Sequence, residues 1–218
     1  MATYEVLHEE GMNFVKVTLQ DETVRAEAGA LCYMIGKITM DARLPGLGQY
    51  LRAKLAGEAV VRPFYTGAGE LYLESSYGGF YLFTLRDETW LLDHGIYWAS
   101  DSSVALSSQQ LHPWLALRAG KSFWHFQTKV AGSGQVVLTA PGPVEEMTLD
   151  QGRLVVDGDY VIARTAGITF RLKRAARSVF GSWLAGESLT RVYEGSGKLL
   201  ISSVPYWRYA MVQNKEGA

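Results

Sequence analysis

Cysteine is almost missing from this chain: Cys32 stands alone among 218 residues. No internal disulfide framework can form, and such usage fits a reducing compartment. Its neighbours Leu31 and Tyr33 predict a buried, inert thiol, not a nucleophile. Surplus charge is missing too, with 21 Lys and Arg against 22 Asp and Glu. That removes any global electrostatic case for nucleic acid, which is not expected as a partner. No stretch approaches the roughly 20 apolar residues of a spanning helix. Residues 1–10 hold acids and no apolar run, so neither a signal nor a transit peptide is visible. A soluble, cytoplasmic protein is expected. The motif Gly-x-Ser-x-Gly is absent, which removes a nucleophile elbow. Glu145 and Glu146 are sequential and would face opposite ways on a strand.

What is present is a packed-core composition, 48% hydrophobic and 12% aromatic, long enough for one all-β domain. The chain also comes close to repeating itself three times. Asp21-Glu22-Thr23 returns as Asp87-Glu88-Thr89 and more faintly as Asp150-Gln151-Gly152. In the same phase, a Gly-x-Gly step opens polar–apolar–polar runs at residues 67–74, 132–139 and 195–202. Leu55-Ala56-Gly57-Glu58 recurs as Leu184-Ala185-Gly186-Glu187, with Arg118-Ala119-Gly120-Lys121 between. Several tags kept in one order and phase imply copies of one supersecondary unit, at about 21–86, 87–149 and 150–211 within a single body spanning 1–218.

Each copy begins with a strand entering a tight turn: Ala28-Gly29, Asp93-His94-Gly95, Asp157-Gly158. Glycine there supplies the positive φ of a hairpin, and a second strand follows. A Gly-x-Gly step inside a sheet marks a bulge or bend. The strand behind it is apolar on both faces: Leu71 and Leu73 against Tyr72, Val136 and Leu138 against Val137, Leu199 and Ile201 against Leu200. Such strands are covered on both sides, by a helix, a neighbouring copy or another subunit. Residues 14–19 precede the first Asp-Glu-Thr as residues 80–85 precede the second. Residues 1–20 are therefore expected to act as a closing N-terminal strand, docking near the third copy in a pseudo-threefold arrangement.

These features together resemble the family named for altered inheritance of mitochondria, protein 24, over nearly the whole chain. The carriers are Ala26-Glu27-Ala28-Gly29-Ala30 with residues 34–40, then Gly57-Glu58 leading to Tyr65-Thr66-Gly67-Ala68-Gly69. The hairpin of residues 154–163 and Gly186-Glu187 leading to Glu194-Gly195-Ser196-Gly197 complete the set. The family is similar to tandem copies of the small β-fold of the tryptophan RNA-binding attenuation protein, a short double-stranded β-helix. The resemblance implies an all-β, sandwich or prism-like body, with one or two short helices, that tends to form rings or trimers. It implies little chemistry. A double-stranded β-helix invites a cupin-type metal site, but His8, His94, His112 and His125 include no His-x-His pair. No catalytic residue, metal ligand or cofactor is expected.

Two local patterns compete with purely structural readings. Gly195-Ser196-Gly197-Lys198 evokes a phosphate loop, yet no Ser or Thr follows the lysine and Val192 stands where the upstream glycine belongs, so a bulge is preferred. Residues 170–184, read as a helix, place Leu172, Ala176, Val179, Phe180 and Trp183 on one stripe. Arg171, Lys173, Arg174 and Arg177 then form a candidate anionic-surface contact. The simpler reading is a rim helix capping the β body. Aromatics at Trp114, Phe123, Trp124, Phe126, Tyr206, Trp207 and Tyr209 suit core and subunit contacts better than base stacking. The expectation is a non-enzymatic, homo-oligomeric β protein serving as a scaffold or interaction platform. Its rivals are a small-ligand or RNA-binding module and peripheral membrane association through residues 170–184.

Overall fold

In the computed structural model, the described residues are 2–42, 62–76, 78–110, 126–173 and 190–204. They form twelve strands: β1 (Thr3–Glu9), β2 (Met12–Ala26), β3 (Leu31–Asp41), β4 (Phe64–Ser76), β5 (Phe80–Leu92), β6 (Tyr97–Asp101), β7 (Ala105–Gln110), β8 (Phe126–Thr139), β9 (Val144–Asp157), β10 (Val161–Thr165), β11 (Ile168–Lys173) and β12 (Thr190–Ser202). The fold is all-β and every pairing is antiparallel. The strands make one hydrogen-bonded path, β11-β12-β10-β5-β8-β6-β2-β4-β3. β1 joins at β2, β7 at β8 and β9 at β12. No helix occurs among the described residues, and residues 174–184 of the expected rim helix lie outside them.

Three long strand pairs dominate, β2 with β4, β5 with β8 and β9 with β12, and each carries a bulge beside its Gly-x-Gly step. Asp21 is the extra residue between the pairs Gln20–Ala68 and Glu22–Gly67. Asp87 is extra between Arg86–Ser133 and Glu88–Gly132. In the third pair, Asp150 and Gln151 oppose Ser196 alone. Asp21, Asp87 and Gln151 all take left-handed backbone, with φ of 67°, 57° and 45°. Two of the facing glycines are required by close approach: a Cβ on Gly67, where φ is 137°, would run into the Lys37 carbonyl of β3, and one on Gly195 into the Gly167 carbonyl.

The Gly-Ser-Gly steps hold these bulges. Ser133 Oγ accepts the Asp87 amide at 3.0 Å, and Ser196 Oγ accepts the Gln151 amide at 2.9 Å. An unpaired bulge N–H thus finds an acceptor, and a sheet distortion accounts for Gly195-Ser196-Gly197. Ala68 holds the matching place in the first pair, where the Gln20 amide donates to Glu22 Oε2 at 2.5 Å instead.

Strands apolar on both faces work as walls between cores. Val136 and Leu138 belong to one buried cluster with Trp90, Leu92 and Ile162, while Val137 between them belongs to another with Val15, Leu71 and Ala99. Leu200 likewise joins the middle cluster and Leu199 a third, with Ile168 and Tyr193. Where β8 and β12 are covered twice, the second cover is the neighbouring part of the same chain.

Two expectations are corrected. Residues 1–20 do not make a single closing strand near residues 150–211. They hold β1 and most of β2, which pair with each other, and β2 pairs further with β4 and β6. A short Glu10-Gly11 turn, both residues at positive φ, folds β1 directly back onto β2. Second, Phe170 to Lys173 begin no helix. They lie in β11, where six cross-strand pairs with β12 satisfy the backbone.

Candidate functional site

β3 ends the hydrogen-bonded path and, among the described residues, pairs only with β4. Its apolar side chains are exposed: Tyr33 by 49%, Met34 by 42%, Ile35 by 57% and Met40 by 55%. Among the described residues, Val155 on β9 is the one further large apolar side chain so exposed, at 49%. A cluster of this kind on an end strand marks a contact surface. Tyr33 stacks on Tyr72 of β4, ring centroids 4.4 Å apart and 15° from parallel. Tyr72 donates to Glu70 Oε2 at 3.0 Å, and Lys16 reaches Glu70 at 2.6 Å. The Lys16 hydrogen bond holds the Glu70 carboxyl below its usual range, and the same bond raises the ammonium. Cys32 is exposed on β3, which corrects the expected buried thiol: its apolar neighbours are themselves part of an uncovered strand.

A second feature is a cleft of about 550 Å³ between the bulge of β2 and the bulge facing β5. Thr23, Thr84, Ser102, Ser103 and Ser133 line it with hydroxyls, beside Asp101 and Gly134. Buried Asp101 accepts from the Tyr4 hydroxyl at 3.2 Å and from the Gln135 amide at 2.8 Å. Burial, then the Asp101 charge, push the Tyr4 hydroxyl far up. Ser103 donates to the Ser133 carbonyl at 2.9 Å and Thr84 to Gln135 Oε1 at 3.2 Å. With those protons committed, the two oxygens offer lone pairs to the cleft, which therefore favours a donor-bearing ligand. Sequence reading missed this site, since its residues come from five strands and turns with no common spacing.

Two of the four basic candidates lie among the described residues. Arg171 is exposed on β11 and Lys173 is that strand's last residue. Arg174 and Arg177 lie outside the described residues. His94 sits in the β5–β6 turn, its amide donating to Asp93 Oδ1 at 3.0 Å, with Gly95 at φ 75°. Among the described residues, no three His, Cys, Asp or Glu side chains converge as a metal cluster would. No helix of the described residues is long and apolar enough to cross a membrane.

Comparison with known proteins follows the same outline. An uncharacterized protein of Streptococcus pyogenes serotype M6 is 23% identical over 201 residues, covering 86% of this chain and 79% of that one. The crystal structure of protein SPYM3_0169 from Streptococcus pyogenes superposes with a TM-score of 0.74 at 20% identity, covering 99% of this chain and 100% of that one. The likeness in structure speaks for the fold. The family model described as mitochondrial biogenesis AIM24 matches residues 4–204, and the chain belongs to that family.

Proposed function

We propose that this protein is a non-enzymatic, self-associating β scaffold built from three tandem units, and that it works in the cytoplasm as an interaction platform. The observation that carries this reading is the apolar end strand β3, which holds four of the five exposed large apolar side chains among the described residues, Tyr33, Met34, Ile35 and Met40. A sheet end of this composition is an aggregation hazard unless covered, and a second copy of the chain is the simplest specific cover. The exposed Cys32 thiol on the same strand suits a reducing compartment. Multi-angle light scattering at micromolar concentration is expected to show a species larger than one chain. Met34→Lys, placed on an exposed position that should not disturb the fold, is expected to shift it toward the monomer. A wild-type monomer at that concentration refutes the reading.

The hydroxyl-lined cleft supports a second reading, a module for a small polar ligand held between neighbouring units. Native mass spectrometry of freshly purified protein tests it, with Ser103→Val as control. A retained mass present in wild type and absent in the variant supports the idea; identical bare spectra count against it.

A further inference from the structure

The path contains two joints where one long pair meets the next, and their registers agree. At the first, Val24, Arg25 and Ala26 of β2 pair with Asp101, Ser100 and Ala99 of β6. At the second, Trp90, Leu91 and Leu92 of β5 pair with Thr165, Arg164 and Ala163 of β10. Each joint begins three residues after the bulge residue, since Asp21 precedes Val24 as Asp87 precedes Trp90. The other side is also equivalent. Ala99 and Ala163 pair back to the wall residues Val137 and Leu200, each five residues after the first glycine of its Gly-x-Gly step.

The same counting finds both halves of a third joint. Three residues after Gln151 stand Leu154, Val155 and Val156 of β9. Five residues after Gly67 stands Tyr72, whose partner on β3 is Tyr33, followed by Met34 opposite Leu71 and Ile35 opposite Glu70. Residues 33–35 and 154–156 are thus the missing partners, with Tyr33 facing Val156, Met34 facing Val155 and Ile35 facing Leu154. They belong to strands that do not pair with each other: β3 pairs with β4 and β9 with β12. Among the described residues, four of the five exposed large apolar side chains, Tyr33, Met34, Ile35 and Val155, lie in these two segments. Their counterparts Val24, Ala26, Trp90, Leu91, Leu92, Ala99 and Ala163 are buried in filled joints.

We infer that residues 33–35 of one copy pair antiparallel with residues 154–156 of a second copy, in the register of the two internal joints. The contact is heterologous, head to tail, and uses the surface on which the scaffold reading rests. It also explains why Tyr72 differs in its surroundings from Val137 and Leu200: these two enter a neighbouring core, and Tyr72 waits for one supplied by another chain. Opposed Val155 and Met34, both exposed, make the two ends complementary in apolarity.

Single-cysteine chains test the register. In a Cys32→Ser background, Met34→Cys and Val155→Cys proteins are prepared separately, then oxidised alone and as an equimolar mixture. Disulfide-linked dimer is expected in the mixture, at severalfold higher yield than in either protein alone. Met34→Cys cross-linking by itself as well as the mixture overturns the head-to-tail joint while leaving self-association intact. So does a chain carrying both substitutions that forms only an intramolecular disulfide, because the joint then closes within one molecule. Absence of any cross-link from a wild type that scatters as an oligomer rejects this surface, whereas a monomeric wild type removes the scaffold reading as well.

Discussion

Three of the four tyrosines buried among the described residues should make this fold unusually sensitive to alkali. Tyr4, Tyr97 and Tyr193 are all at least nine-tenths buried. Burial raises each hydroxyl, Tyr193 to about 12, and Tyr4 and Tyr97 further. In the unfolded chain a tyrosine ionises near pH 10. Above that pH the unfolded chain has released protons that the folded chain keeps, so alkali favours unfolding. The stability these groups contribute is fully present below about pH 10 and is lost as pH climbs toward the folded values, for Tyr193 about 12. Linkage gives about 1 kcal/mol lost per tyrosine between pH 10 and 11, near the limiting slope of about 1.4 kcal/mol per pH unit. Three such groups lose about 3 kcal/mol, a large share of a typical 5–15 kcal/mol. Urea unfolding at fixed ionic strength is the assay, and with an m-value of about 2.5 kcal/mol/M the midpoint should fall by about 1.2 M over that pH unit. Tyr97→Phe removes hydrogen bonds to the Arg25 carbonyl and Ser100, so it should start less stable yet lose only about two-thirds as much above pH 10. Lysines titrate in the same window, and comparing the two proteins cancels them. A wild-type midpoint flat from pH 10 to 11.5, or an equal slope in Tyr97→Phe, refutes the reasoning.

Three further outcomes follow from the same geometry. Ser196→Ala deletes the acceptor of the Gln151 amide and should cost about 1 kcal/mol in urea unfolding; no change would mean that water serves the bulge equally well. Val137→Ala opens a hole at the wall between two cores and should cost about 2–3 kcal/mol, while Ile35→Ala on the exposed strand should cost under 0.5 kcal/mol in dilute monomer. Equal costs would show that the two positions do not differ as described. Cys32 should react with iodoacetamide without denaturant, at a rate close to that of unfolded protein, and protection in dilute monomer would contradict its exposure.

Much of the fold was legible because glycine and aspartate carry backbone information. Asp93-His94-Gly95 makes the expected turn, and every Gly-x-Gly step lies at a bulge. The bulge itself blurred the strand limits. The Asp-Glu-Thr phase suggests a break at residue 21, but β2 runs unbroken from Met12 to Ala26, because aspartate tolerates the left-handed turn that lets a strand continue. In the third pair the left-handed residue is Gln151, one beyond the aspartate that the phase selects. Residues 170–173 misled for another reason. Phe170 and Leu172 alternate with Arg171 and Lys173, so four residues satisfy period 2 as well as the start of period 3.6. The partner strand decides between them, and β12 lies far along the sequence.

The candidate site was harder to read than the fold, and β3 shows why. Apolar residues such as Tyr33, Met34 and Ile35 look the same whether their strand lies inside a joint or ends the sheet. Composition alone assigns them to a core, and the expected burial of Cys32 came from that assignment. Only strand pairing separates the cases: Ala99 and Ser100 have strands on both sides, β2 and β8, whereas residues 33–35 have β4 alone. The side chains differ in the same sense. The filled joints use Ala99 and Ala163, small residues buried in the cores beside them. At the corresponding place β3 carries Tyr33, a large side chain that a fixed intramolecular joint would have to accommodate. A bulky, amphipathic residue able to stack on Tyr72 while exposed suits the contact surface proposed above.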